Sequence, residues 1–324
     1  MIGSEWLYWL IGAIFIGVAV LILGDHEHPK RLGNSAFWGL LGISFFYGTF
    51  VVAGTAPAWL LGIIVLVMVA LAGFGFTGMK AAPTRTTSAS EREQYALRFG
   101  NRLFIPALII PAVTVVIAIF GPKITLGGKP LLAEGTATLS GLGVSSVLAV
   151  VVGALILRPP SAITPLREGG RLLEAIGWAA LLPQMLSTLG SLFDQAGVGT
   201  AIGSITSHLL PKGSLIAAVA LYCVGMAFFT VIMGNAFAAF PILTAAVGWP
   251  VLIQVFHGDP PAVFAIGMLA GFCGTLSTPM AANFNLVPAA LLEMRNRYGT
   301  IVAQLPTAGI MLVANVGLMY FVAF

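Results

Sequence analysis

Charge is what this sequence has least of. Only 8% of its 324 residues are Asp, Glu, Lys or Arg, against roughly 25% in soluble domains, which excludes an ordinary water-soluble globular protein. Cysteine is scarce too. Cys223 and Cys273 lie inside apolar stretches, suggest neither a disulfide nor a metal site, and read as small packing residues. No HExxH, P-loop or nucleophile elbow occurs, so no catalytic or metal site and no cofactor is expected. The apolar/polar alternation of a transmembrane β-barrel is missing. No basic run is interleaved with aromatics, so the net charge of +4 does not point to nucleic acid.

What the chain has instead is continuous apolar sequence. Hydrophobic residues make up 58%, and the mean hydropathy is +1.00. A spanning helix needs about 20 mostly apolar residues, which leaves room for about eight. The expected fold is therefore an all-α polytopic membrane protein. Runs cover Trp6 to Leu23, Phe37 to Val52, Trp59 to Phe76, Leu103 to Phe120 and Thr136 to Leu157. Glu5, not a basic region, precedes the first run, and Trp6, Tyr8 and Trp9 look like an interfacial anchor, so a retained span is expected rather than a cleavable signal.

Loop charges set an orientation. Basic residues gather at Lys30 and Arg31, from Lys80 to Arg102, and at Arg158, Arg167 and Arg171. The intervening connections hold few, so the positive-inside tendency puts both termini outside. The stretch Ala81 to Glu93, rich in Thr, Ser, Arg and Glu, is expected to be a mobile cytoplasmic loop. Asp25-His26-Glu27-His28 offers metal-ligand residue types, but beside Pro29, Lys30 and Arg31 it reads as a solvated turn. His257 and Asp259 read as an external turn. Glu174, close to Arg167 and Arg171, reads as a cytoplasmic interface residue.

The second half, 167–324, departs from the pattern of 1–166. Its apolar stretches are interrupted, and irregular backbone at membrane depth is tolerated only inside protein or against a wet cavity. From Leu172 to Val198 a re-entrant hairpin is expected. Ser214 to Phe256 reads as one long span broken at Gly234-Asn235, and Ala262 to Leu292 as another, broken from Gly274 to Pro279. Ile301 to Val322 closes the chain. Secondary transporters bind anions where half-helix N-termini meet, and coupling cations at freed carbonyls. The expected substrate residues are Gln184, Ser187 and Thr188 at the hairpin, Gly234, Asn235 and Ala236 at the first break, and Thr275, Ser277, Thr278, Asn283 and Asn285 around the second. Each has its plainer reading, since Gly and Pro are common in membrane helices and Ser and Thr often bond across helix interfaces. Asp194 is either a site for a coupling Na+ or H+ or a cap at a wet edge.

Residues from Arg167 onward resemble the ion-transporter superfamily, particularly the C-terminal half of gluconate permeases. The shared order is a hairpin ending in Asp194-Gln195-Ala196-Gly197, a helix broken at Gly234-Asn235-Ala236, then a Gly/Ser/Thr/Asn break. The stretches MGNAFAAFPILTAAVG (Met233 to Gly248) and CGTLSTPMAANFNLVPAALLE (Cys273 to Glu293) are similar to the signature of a family once of unknown function. That family is described as one of two subunits of a 5-oxoproline (pyroglutamate) transporter. The resemblance implies a small carboxylate substrate, a second membrane subunit or self-association, and a place in the bacterial cytoplasmic (inner) membrane. Gluconate permeases carry both half-repeats in one chain, and only one half here has the full pattern of breaks. Against the carrier stand two other possibilities: a subunit that only scaffolds its partner, and an intramembrane enzyme.

Overall fold

The computed structural model describes residues 3–77, 86–126, 129–133, 135–181, 185, 188, 191–193, 195–201, 204 and 213–324. Chain contacts divide it into two compact units, Met1–Ala175 and Ile176–Phe324. Among the described residues, seven helices are long and apolar enough to cross a membrane. This is a multi-pass, all-α membrane protein.

In the first unit, α1 (Glu5–Leu23) and α2 (Arg31–Val52) form a close pair. Gly12 lies under the ring of Phe46, Phe15 stacks on Trp38 at 5.6 Å, and the Ser35 hydroxyl donates to the Ala19 carbonyl at 2.8 Å. Small residues and hydroxyls hold such pairs because lipid tails offer helices no hydrophobic reason to associate. α3 (Ala58–Gly73) follows α2. α5 (Phe104–Phe120) packs on α6 (Ala137–Leu157) around Gly141 and a Thr114–Ser145 hydroxyl contact of 3.1 Å. Between these two helices a short antiparallel pairing joins Thr125–Leu126 to Lys129–Pro130.

Two polar helices frame this unit. α4 (Ala89–Phe99) begins within the stretch expected to be a loop, because Ser88 and Glu91 close a capping box that satisfies two otherwise bare N–H groups. The Ser88 backbone bond also holds the Glu91 carboxyl below its ordinary range. α7 (Thr164–Ile176) is amphipathic and belongs with the first unit: Leu166 covers Gly17, and Gly170 lies on Val18. Leu172 to Ile176 thus completes a polar helix instead of opening an apolar one. Much of the expected hairpin beyond it lies outside the described residues.

The second unit is built on α8 (Leu215–Met233), α9 (Ala236–Leu243), a wide π-type stretch Thr244–Ile253, α10 (Pro260–Leu276), α11 (Ala282–Leu291) and α12 (Gly299–Val322). One expectation is overturned. Ser214 to Phe256 is not a single broken crossing but a helical hairpin that turns at Gly234-Asn235. Leu243 returns to Gly225, and the Tyr222 hydroxyl meets that of Thr244 at 2.9 Å. The cause is local. Gly234 takes the left-handed conformation, φ +68°, that ends a helix most easily at glycine. Asn235 is extended, and its side chain starts the next helix. The core gathers Tyr222, Met226, Met233, Leu252, Val263 and Met319. Ile310, Val313 and Phe321 stay 70%, 74% and 81% exposed, as a lipid-facing side requires.

Candidate functional site

α8 and α10 run parallel in close contact. Tyr222 meets Gly267, Met226 meets Gly271, and a Cβ at Gly274 would collide with the Ala227 carbonyl. Only glycine allows that approach, which brings the hairpin tip beside the end of α10. There the Thr278 hydroxyl donates to the Val231 carbonyl at 2.8 Å, one turn before Gly234. Ala236 packs on Gly271, and Phe237 meets Phe272 edge-on at 5.8 Å. The interruption between α10 and α11 and the turn between α8 and α9 therefore form one locus.

α12 gives the locus a height. Asp259 at the start of α10 bonds to Ala323, Asn315 approaches Cys273 at 3.6 Å, and the Thr300 hydroxyl donates to the Asn285 carbonyl at 2.6 Å. α12 thus runs antiparallel to the whole of α10 and α11, and the interruption falls level with its middle.

The side chains at the locus are uncharged and closely employed. Asn235 Oδ1 accepts from the Phe237 N–H at 2.9 Å as an N-cap. Ser277 donates to the Cys273 carbonyl at 2.7 Å. Asn285 is fully buried, and its Nδ2 donates to the carbonyls of Thr275 and Thr278 at 2.9 and 2.7 Å. Those are the carbonyls that the interruption releases from helical pairing. Yet Thr230 Oγ1, Thr275 Oγ1, Asn285 Oδ1 and Asn315 Oδ1 are buried with no partner among the described residues. Orphaned buried groups cost about 1–3 kcal/mol each and call for an explanation such as a ligand or an ordered water.

Of the residues singled out in the sequence, the structure brings together Gly234, Asn235, Ala236, Thr275, Ser277, Thr278 and Asn285. Asn283 is exposed, unlike its neighbour Asn285 two positions on. Thr188 is exposed and already engaged. Gln184, Ser187 and Asp194 lie outside the described residues. Sequence reasoning missed Thr230 and Asn315. Their signal was a lone polar residue in an apolar run, one turn before a break or opposite it.

A family model for proteins of unknown function, DUF979, matches residues 5–324. The chain belongs to the DUF979 family. Neither a search of curated proteins nor one of solved structures returns a match.

The DUF979 chain also holds a second polar assembly, in its first unit. His28 is not in a solvated turn: it is 5% exposed, and its Nε2 lies 2.9 Å from Glu174 Oε1. Glu174 is 2% exposed and takes a second bond from Asn34 Nδ2 at 3.0 Å. Its partners are these two and not Arg171, which bonds Glu168 at 3.1 Å. The short α1–α2 connection tucks His28 inward while Lys30 reaches the carbonyls of Gly75 and Thr77 and Arg31 bonds His26. Burial raises the Glu174 carboxyl above its ordinary range, and the bonds from Asn34 and His28 only partly oppose it. Glu168 goes the other way. Desolvation pushes it up, but the Thr87 N–H and hydroxyl and the Arg171 guanidinium together hold it below the ordinary range.

Proposed function

We propose that this chain is the membrane subunit of a secondary transporter for a small organic anion, with 5-oxoproline as the candidate substrate, in a bacterial cytoplasmic membrane. The observation that carries this reading is the meeting of two helix interruptions, Gly234-Asn235 and Ser277 to Ala281, tied by the Thr278–Val231 bond. α12 has 24 residues, and at 1.5 Å per residue it is about 36 Å long, enough to cross a hydrocarbon core of about 30 Å. A locus level with its middle lies at membrane depth, as do the binding sites of carriers that work by alternating access.

The chemistry suits a compact polar acid. The N-termini of α9 and α11 begin at the locus, and helix N-termini favour a carboxylate. Asn285 Oδ1 is an acceptor with no donor among the described residues, and the Thr230 and Thr275 hydroxyls can donate or accept. A lactam acid presents a carboxylate, an N–H donor and a carbonyl acceptor, and would engage all three kinds of group. The resemblance to two-subunit 5-oxoproline transporters points to the same substrate class and to a second membrane subunit.

The test is uptake of radiolabelled 5-oxoproline into proteoliposomes holding this chain, its partner, or both. Uptake is expected only where this chain is present, and Asn235→Leu should abolish it at undiminished membrane abundance. Asn235→Ser keeps an N-cap hydroxyl but lacks the amide, and separates loss of the turn from loss of the binding group. Full transport by the partner alone would leave this chain a scaffold. Normal uptake by both Asn235 variants would remove the site.

A further inference from the structure

The first unit holds a buried ionisable group that the carrier reading leaves without a task. Glu174 receives both of its hydrogen bonds on one oxygen: His28 Nε2 and Asn34 Nδ2 both reach Oε1. Oε2 is buried and has no partner among the described residues. The other ring nitrogen of His28, Nδ1, accepts from the Lys30 backbone N–H at 3.2 Å. A ring nitrogen that accepts carries no proton, so Nε2 is the N–H that donates to Oε1. An added proton has one open position in the pair, the bare Oε2.

Beside the pair lies a cavity of about 70 Å³ lined by Asp25, His28, Thr86, Arg167, Gly170 and Glu174. It has room for water and offers the polar partners that buried water needs. The charged groups around it divide clearly. Asp25, from the α1–α2 connection, repels a second negative charge and favours the protonated acid. Arg167, from α7, also lines the cavity, and the bonds from Asn34 and His28 favour the ionised form. The other nearby charges are engaged elsewhere: Arg171 with Glu168, Lys30 with the Gly75 and Thr77 carbonyls, and Arg31 with His26. Two opposed influences on one buried carboxyl make a group that changes state with its surroundings, as coupling sites must.

We propose that Glu174 is the coupling-proton site of the carrier: one proton binds Oε2 through the Asp25–Arg167 cavity and is released from it in each transport cycle. The inference rests on the carrier reading. A single bare carboxylate oxygen suits a proton, whereas hard metal cations take six or more oxygens. One proton carried with one carboxylate neutralises the moving charge, so uptake does not work against a negative interior. The chain runs on from α7 into the second unit. Past Ala175 and Ile176 it turns at Gly177, φ +58°, into the 3-10 stretch Gly177–Leu181, which packs on α11, the helix carrying Asn285.

Two measurements on the full-length protein test this. The first is an infrared pH titration in detergent. A carbonyl stretch of a protonated carboxyl should persist above pH 4.5, the ordinary glutamate value, should be missing in Glu174→Gln, and should return shifted in Glu174→Asp. The second is accumulation of radiolabelled 5-oxoproline in proteoliposomes against an imposed pH gradient. One coupled proton changes the accumulation ratio by about tenfold per pH unit, and in Glu174→Gln the ratio should no longer respond to the gradient. Absence of the band in the wild type overturns the proposal, as does an undiminished gradient response in Glu174→Gln or uptake driven by sodium alone. If proteoliposomes holding the wild-type chain together with its partner move no 5-oxoproline, the carrier reading fails and the coupling role falls with it. The infrared band reports separately on proton binding at Glu174.

Discussion

The two units of this chain handle polarity in opposite ways. In the first, the membrane-length helices run without a break, and the buried charge is gathered beyond the apolar runs in one His28–Glu174–Asn34 cluster. In the second, the helices are interrupted, and the buried polar groups among the described residues are uncharged amides, hydroxyls and freed carbonyls. A charge at membrane depth is costly wherever it sits, whereas an interrupted helix supplies partial charges from backbone that was already there. If the chain binds an anion in hydrocarbon, as proposed, it gains more from a turn than from an arginine.

The sharpest way to break the comparison is at Gly274. Gly274→Leu places a side chain against the Ala227 carbonyl and Thr230, backbone as well as side chain. Overpacking commonly costs 1–3 kcal/mol, and more where backbone must shift, so about 3 kcal/mol or more is expected. Loss of the monodisperse, folded species on size-exclusion chromatography would show it. An unaffected elution profile would mean that α8 and α10 do not depend on this approach.

Next is Asn285. Asn285→Ala leaves the Thr275 and Thr278 carbonyls without their donor, and about 1–3 kcal/mol should be lost. The neighbouring, exposed Asn283→Ala should stay within about 0.5 kcal/mol of wild type. Thermal unfolding in detergent compares the two variants directly, and equal effects would deny Asn285 its place in the interruption.

The smallest effect concerns pH, and it has opposite signs for two carboxyls of one helix. Glu174 is raised in the folded protein, so its contribution to stability is present below pH 4.5 and is lost as pH rises through the folded value. Glu168 is lowered, so its contribution is present above pH 4.5 and is lost as pH falls. Relative to wild type, Glu174→Gln should gain in Tm as pH rises, while Glu168→Gln should lose least at low pH. Parallel Tm–pH curves for the two variants would contradict both environments.

Much of the fold was legible in the sequence because spans in lipid need long apolar runs, and those of α1, α3, α5, α6 and α12 stand out within a few residues of their ends, while α2 starts earlier, at Arg31. The breaks were legible as well, since glycine, proline and asparagine interrupt such runs visibly. What could not be read was direction. Gly234-Asn235 fits a kink and a reversal equally well, and only the return of Leu243 and Thr244 to α8 decides it. Nor does spacing reveal partners far apart in the chain: His28 and Glu174 are separated by 146 positions, and each looked like a surface residue beside its own basic neighbours. The α4 start was recoverable, because Ser88-Ala89-Ser90-Glu91 is a capping pattern inside a stretch whose composition suggested a loop.

The tight seam between α8 and α10 also limits which motions remain available. With the Ala227 carbonyl seated against Gly274 and the Tyr222 ring against Gly267, axial slippage of one rod along the other would drive backbone into backbone within a fraction of a turn. The pair is keyed like a shaft. Any rearrangement that exposes the Thr230–Thr275 region alternately to either side must carry both rods together.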